Sequence, residues 1–475
     1  MTPYYPKETK VLVLISELLT QLDTTGIVYC HWKSNIDLDL SFSAEGDLDV
    51  LIDRRQSSDF DRLVLALGFK RGIAAYERQF PGIEDYVGWD RETGKMVHLH
   101  VHYQLVLGAN YVKGTHLPIE RDILKSRRKV GPIMISAPEP ELLVFVLRSI
   151  LKIRVYDVLR NRGISKRAVE ELDFLISHTD REQVVRLLSS YPISIEFFDA
   201  MIQALKERSP SKVYRLKKKL ERDLDVYQRL SKFVRVIRPV ITRWKYRLFA
   251  PPSGKKLTSG GLVIAAVGSD GSGKSSMIEE LYHWLKPQFG VRNYHLGRPT
   301  QTPLSYVLLR VFHRVKVVCC QRDSSVMNAI SQLADVSSKY LVAKDRVRLY
   351  GCIRSYVGQG FVAIVDRHPL KGIAMDGPSG IAEHLNSPNM LVRSLAHKTK
   401  EMYEIFQDPD ILIVLKVSLE VASQRRPEDT IEYLTDRVQT VATIDTEKEY
   451  VIELDAESDH KQVFLAAKEF VWRWL

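Results

Sequence analysis

The sequence predicts an α/β protein: a parallel sheet flanked by helices in the C-terminal part, preceded by an α+β region and then a helical region. Three observations carry this. Apolar runs rich in β-branched residues alternate with amphipathic stretches from Leu262 onward, strand-like runs nearly vanish after Ser136, and a glycine-rich stretch, "GSDGSGKSS", separates an apolar run from an amphipathic one. At 475 residues the chain exceeds what one core usually organises, so several domains are expected.

The elements follow in chain order. Residues 1–135 mix β-type runs ("GIVYCHW", "LDVLID", "MVHLHVHYQLVLG") with helical ones such as "SSDFDRLVLALGF" and read as an α+β domain. Residues 136–250 read as helical as far as Pro239, with Ser136 placed to cap the first helix and Glu139 three residues later. In "VYRLKKKLERDLDVYQRLSKFVRVI", Leu216, Leu220, Leu224, Tyr227, Leu230, Val234 and Ile237 recur at three and four, which predicts a basic helix with one apolar face. The proline, glycine and serine of "APPSGKKLTSGG" predict a linker, residues 251–261. Residues 262–475 then alternate strands ("LVIAAV", "FVAIVD", "DILIVLKV", "YVIELDA") with helical stretches, the pattern of a parallel sheet.

Composition narrows the partners. Lys206 to Lys256 holds seventeen Lys/Arg against four Asp/Glu, a local balance of +13 in a chain whose net charge is +11, so the remainder is slightly acidic. The basicity belongs to one segment. Its cationic face could meet nucleic acid or an anionic surface, but it is expected to be the solvated side of a helix packed on its neighbour. No apolar run is long enough for a membrane span: "ELLVFVLRSILKIRVYDVL" is broken by Arg148, Lys152 and Arg154. The N-terminus does not read as a signal peptide, and the cytoplasm is the expected location. Cys30, Cys319, Cys320 and Cys352 lack metal-ligand spacing and are expected to be reduced, buried thiols.

Gly268 to Ser275 matches GxxxxGK[ST] in full, between a strand and a helix. Wrapping a triphosphate with backbone N–H groups puts peptide units where a Cβ would collide, which is why Gly268, Gly271 and Gly273 are needed among Ser269, Asp270 and Ser272. The helix starting near Lys274 adds its dipole; Lys274 offers a mobile cation, Ser275 a hydroxyl for Mg²⁺, and Ser276 closes the stretch. The pattern indicates ATP or GTP and leaves the acceptor open.

The fuller wording "GSDGSGKSS" resembles the thymidylate kinase family of P-loop nucleoside monophosphate kinases, supported by three later segments. In "FVAIVDRH", the resemblance implies that Asp366 holds the Mg²⁺ shell or orients the acceptor and Arg367 grips the acceptor's phosphate. "AKDRVRLYGCIRSYVGQG" implies an acceptor contact at Arg346, and "ILIVLKVSLEVASQRRPEDT" a lid in which Arg425 or Arg426 neutralises the moving phosphoryl group. "IELDAES" resembles the closing strand and the loop beside adenine. There are departures: "HLGRPTQTPLSY" keeps Arg298-Pro299 but lacks the family's acidic residue and paired glycines, His368 replaces the usual aromatic, and Asp376-Gly377-Pro378 is extra. The resemblance therefore implies an ATP- and Mg²⁺-dependent kinase acting on a small-molecule phosphate acceptor, with thymidylate one candidate. A homodimer is expected.

Near the N-terminus, "EGDLDVLID" puts Asp47 and Asp49 two apart, so both carboxylates share one face of a strand and repel unless cations lie between them. The segment resembles the nucleotidyltransferase superfamily, whose paired aspartates hold Mg²⁺, with Lys33-Ser34 where that family usually has a glycine turn. Its third carboxylate is missing from "VHLHVHYQ", where His98, His100 and His102 fall on one face, either as metal ligands or as residues of a sheet edge. Two further readings remain: a bifunctional kinase and nucleotidyltransferase, and a non-catalytic ATP-binding switch or assembly factor.

Overall fold

The computed structural model describes residues 10–109, 112–249, 254–320, 324–371, 373 and 381–475. The chain divides into two compact units, residues 1–253 and 254–475. Both carry the mixed helix-and-sheet architecture expected of an α/β protein.

The first unit is organised on a mixed sheet whose strands run, side by side, Lys70–Ile73, Ile83–Trp89, Met96–His102, Leu48–Ile52, Tyr29–His31, Ile133–Ile135 and Arg128–Val130. Alternation sends Tyr29, Val50, Leu99 and Val101 to one face. There they pack on Ile15, Leu18 and Leu22 of the Val13–Thr24 helix and on Phe60 and Val64 of the Ser57–Ala66 helix. Cys30 and Leu51 point to the other face, into a core built around the Pro138–Lys152 helix, with Leu172, Leu188, Phe198, Leu205 and Leu220 from the helices that follow. The helices after residue 136 therefore share a unit with the sheet.

A buried polar network joins the sheet to that central helix. Asn35 donates through Nδ2 to Glu141 Oε2 (2.6 Å) and Ser136 Oγ (3.1 Å), and its backbone N–H donates to Glu141 Oε1 (3.1 Å). Its Oδ1 lies 2.6 Å from His31 Nδ1. Ser136 is thus not the helix cap: the N-cap is Ala137, with Pro138 opening the helix, and the Ser136 hydroxyl donates to Glu141 instead.

The basic stretch also departs from expectation. It is two helices, Pro210–Asp223 and Lys232–Phe249, and the second passes through Pro239. The break has a tertiary cause: Gln228 bridges Thr115, and the Arg229 N–H donates to the Gly114 carbonyl at 2.6 Å, so this backbone is paired with an extended segment rather than its own helix. Leu220 and Leu224 are buried as the spacing predicts, whereas Val234 is exposed.

In the second unit five parallel strands run in the order Val291–His295, Val362–Asp366, Leu262–Gly268, Ile411–Lys416 and Val451–Asp455. One face carries Val263, Ala265, Val267, Ala363, Val365, Leu412 and Val414 against the Ser325–Val357 and Ile431–Ala442 helices. The Lys274–Leu285 and His460–Trp474 helices cover the other face. Apolar residues on both faces suit a sheet with helices on each side. Lys256–Leu257, in the stretch read as linker, is a short strand. Cys30 and Cys319 are buried, but Cys352 is exposed on the outer side of the Ser325–Val357 helix.

Replacing Asn35 by Ala removes the Nδ2 donor to Glu141 Oε2 and to Ser136 Oγ and leaves the Ser136–Glu141 and backbone bonds in place, a loss of about 2 kcal/mol for a buried hydrogen bond to a charged group. Urea unfolding of the full chain, followed by tryptophan fluorescence, should show an earlier transition in Asn35→Ala; an unchanged midpoint would remove the network from the account of stability.

Candidate functional site

The phosphate-loop stretch lies where the central Leu262–Gly268 strand ends and the Lys274–Leu285 helix begins. Gly271 and Gly273 both have φ near +85°, in the left-handed region that favours glycine, and Gly273 is the helix N-cap. A Cβ on Gly268 would meet Ser272 Oγ and come within 2.7 Å of the Leu415 carbonyl. The Lys274 ammonium is held over the loop by the Gly268 and Ser269 carbonyls, at 2.8 and 2.6 Å. Ser269 and Ser272 are buried beneath it.

This loop forms one wall of a cleft of about 870 Å³. Asp270, Gly271, Gly273, Lys274, Ser275 and Ser276 line it from the loop side; Arg298, Arg346, Asp366, Arg367, Arg425 and Arg426 line it from elsewhere. Parallel register explains part of the gathering, since Ala266 pairs with Asp366 and Gly268 with Leu415, so the C-terminal ends of adjacent strands open at one edge. Arg367, which follows Asp366, has φ 55°, and its Nη2 donates to Asp270 Oδ1 at 3.1 Å. Its side chain passes over Gly297, where a Cβ would collide with Arg367 Cδ. Arg346 donates to Tyr403 Oη (2.5 Å) and the Gly297 carbonyl (3.3 Å).

The two neighbouring arginines are held differently. Arg425 donates to the Gly271 carbonyl in the phosphate loop and to the Ala456 carbonyl, both at 3.2 Å, whereas Arg426 pairs with Glu428 at 2.9 Å. Four cleft residues escaped the sequence reading: His295, Gly297, Tyr433 and Arg437. Tyr433 donates to Asp270 Oδ2 at 2.9 Å, and Arg437 donates to Tyr433 Oη at 3.2 Å. Their spacing of four puts both on one face of the Ile431–Ala442 helix, the one signal of them in the sequence. Burial pushes the Asp270 carboxyl up, but Lys274, Tyr433 and Arg367 outweigh it and hold it below the usual carboxylate range.

The electrostatic balance is plain. Seven Lys/Arg side chains line the cleft against Asp270 and Asp366, which suits a polyanion. One oxygen of Asp366, Oδ1, is buried without a hydrogen-bond partner, a donor fit for a hard cation. A smaller recess beside the loop is lined by Met277, Leu415, Ala456, Val463 and Phe464. His368 is buried edge-on to Tyr350 and Phe406, with ring centroids 6.0 and 6.2 Å away, and burial pushes its imidazole down to about 4. It packs as an aromatic would. Asp376, Gly377 and Pro378 lie outside the described residues.

In the first unit, Asp49 lies in the Leu48–Ile52 strand and Asp47 just before it. Parallel pairing sets Asp49 opposite His100, while Asp85 faces His100 from the antiparallel Ile83–Trp89 strand. His98 bridges Asp47 (2.6 Å) and Asp85 (2.7 Å); His100 lies 2.8 Å from Asp49, and Lys33 pairs with Asp49 at 2.7 Å. Each of the paired carboxylates thus has its own partners, His98 for Asp47 and Lys33 with His100 for Asp49. The histidine strand is interior, flanked on both sides, so the sheet-edge reading of these residues is overturned. On the neighbouring strand, Asp85 brings a further carboxylate against His98. Asp49, His100 and His102 have ligand atoms within 4.8 Å of one another. Burial raises the Asp49 carboxyl, yet Lys33 and His100 hold it well below the usual range, while burial pushes the His102 imidazole far down. Ser34, in the turn position, has φ 52°, the conformation a glycine would take without strain.

No family model matches the chain. It is similar to the uncharacterized ATP-binding protein YghR of Escherichia coli strain K12, 22% identical over 223 residues, covering 44% of this chain and 86% of that protein. It is also similar to the uncharacterized ATP-binding protein YghS of the same strain, 23% identical over 219 residues, covering 43% of this chain and 90% of that protein. Among the described residues no helix is long and apolar enough to cross a membrane.

His368 gives a pH test. Its folded value of about 4 lies below the ordinary 6.5, so the unfolded chain takes up the proton first; stability is full above pH 6.5 and falls as pH drops toward 4. That difference corresponds to about 3 kcal/mol. Thermal melts from pH 7 to 4 should therefore decline less steeply in His368→Phe than in the parent chain, and parallel declines would show that the imidazole is not buried neutral.

Proposed function

We propose that residues 254–475 form an ATP-dependent phosphotransferase that moves the γ-phosphoryl group of ATP to a small anionic acceptor, a nucleoside monophosphate or another phosphorylated molecule. The observation that carries this reading is the convergence of a glycine-wrapped phosphate loop and seven cationic side chains on one cleft. The names of the two relatives, ATP-binding proteins, support the nucleotide half of it.

The roles follow from position. Amides of Gly271 to Ser275 and the helix N-terminus cradle the β-phosphate, and Lys274 moves from the loop carbonyls onto the β/γ oxygens. Leu415, Ala456 and Phe464, around a recess of about 30 Å³ beside the loop, offer the base an apolar edge to lie against. Arg367, Arg346 and Arg298 face the cleft as acceptor-phosphate contacts. Arg425, tied to both the phosphate loop and Ala456, neutralises the equatorial oxygens of the moving group, with Arg426 farther out. Asp366 and the Ser275 hydroxyl would hold Mg²⁺, which when bound offsets charge on the β/γ oxygens. With both anions held in line, little covalent work is left to the protein.

A second reading concerns the first unit. Asp47 and Asp49 on one face, with Asp85 brought to them through His98, favour nucleotidyl transfer there, which would make the whole chain bifunctional.

ADP release measured with ATP and a panel of nucleoside monophosphates and sugar phosphates tests the main reading. Asp366→Asn should lower turnover about 100-fold or more while ATP still binds within about tenfold. Lys274→Ala should lose both. Tight ATP binding with no turnover on any acceptor would replace the kinase by a nucleotide-binding switch. For the first unit, incorporation of labelled nucleotide should disappear in Asp47→Ala and Asp49→Ala and persist in Lys274→Ala; loss in Lys274→Ala alone would assign that activity elsewhere.

A further inference from the structure

The Lys232–Phe249 helix contradicts the expectation that its apolar side packs on a neighbour. What packs is a polar face: Arg235 lies 3.7 Å from Asp225, Arg238 donates to the Tyr76 carbonyl at 3.4 Å and stacks over Phe80, Thr242 is buried, and Lys245 pairs with Glu77 at 2.5 Å. Those positions, 235, 238, 242 and 245, recur at three and four on one side. The large apolar residues turn away from it. Phe233 is 71% exposed, Val236 65%, Ile241 61%, Trp244 59% and Leu248 65%, and Val240 lies among them. At 3.6 residues per turn these six fall within an arc of roughly 140°.

A stripe of this size in water is costly unless something covers it. Charge says what covers it. The helix contains six Lys/Arg and no Asp or Glu. Three of its cations, Lys232, Arg243 and Arg247, are exposed and sit together on one flank of the apolar arc. Long basic side chains beside an apolar stripe bearing a tryptophan are the chemistry of a helix lying in the headgroup boundary of an anionic bilayer, with cations reaching the phosphates and aliphatic groups entering the acyl region. Nucleic acid fits less well, because Val236, Val240, Ile241 and Leu248 give a base nothing to stack on. A second copy of the same face fits less well too, since it would bring basic flanks together with no acid on the helix to pair them.

We propose that the Lys232–Phe249 helix is an interfacial helix that seats the chain on an anionic lipid surface. The docked face stays on the protein through Glu77 and Tyr76, so no unfolding is needed.

Flotation of the full chain with vesicles tests this. Binding should appear with phosphatidylcholine vesicles containing about one-third phosphatidylglycerol, and weaken about tenfold or more on pure phosphatidylcholine or in about 0.5 M salt. Val240→Glu with Trp244→Glu should abolish it. Arg243→Glu with Arg247→Glu should reduce it on anionic vesicles only. All four positions are exposed, Arg243 with its guanidinium over the Tyr156 ring at 5.7 Å, so a thermal melt of each variant beside the parent keeps misfolding apart from lost binding. No flotation of the parent chain, or equal flotation of the Val240/Trp244 variant, overturns the proposal; the latter would move binding to another surface, such as the Pro303–Cys320 helix. Self-association that disappears in the Val240/Trp244 variant without any vesicle binding, or a nucleic-acid shift sensitive only to charge reversal, also overturns it.

Discussion

Holding many like charges close together is the constraint that organises the second unit. Seven cationic side chains around one cleft repel each other, and only a rigid frame keeps them converging. The parallel sheet is that frame: its strand ends bring Gly268, Asp366 and Lys416 to one edge, and Lys274, Arg346, Arg367, Arg425, Arg426 and Arg437 are each tethered to a carbonyl, a hydroxyl or a carboxylate nearby. Asp270 is central to this. Its carboxylate meets Lys274, Arg367 and Tyr433, linking the phosphate loop to the strand after it and to the Ile431–Ala442 helix. Arg425 makes a second link, from the loop to the recess beside Ala456.

The first unit solves the opposite problem. Asp47, Asp49 and Asp85 bring negative charge together, and it is offset by Lys33 and by imidazoles aligned along the neighbouring strand. His98 and His100 stack with ring centroids 5.8 Å apart, so the arrangement is a ladder of acid and imidazole pairs rather than an open group of carboxylates. The low carboxyl value of Asp49 follows from its partners winning over burial. Lys113, which burial pushes down to about 8, is a further cation that feels Asp49 and Asp85.

The long basic stretch shows where local pattern and tertiary structure part. Three-and-four spacing persists from Leu216 to Ile237, yet it describes two helices with different fates. In the first the spacing marks burial. In the second the docked positions are polar and the aliphatic ones face out, because Glu77 and the Tyr76 carbonyl supply partners that capture the basic side. Periodicity reports that a helix has two faces; it does not report which face the rest of the chain can satisfy.

What the sequence by itself determined was whatever depends on neighbours in the chain. The α/β class followed from strand and helix periods, and the strand–loop–helix setting of Gly268 to Ser275 from glycines at positions where φ must be positive. Tertiary structure alone decided which distant side chains meet: Tyr433 and Arg437 reaching Asp270, Asp85 reaching His98, Ser136 bonding to Glu141 rather than capping its helix, and Cys352 facing solvent. The physical reason is range. Backbone conformation and amphipathic period are set within a few residues, whereas a hydrogen bond or ion pair between residues 270 and 433 exists only after the sheet has brought their segments together.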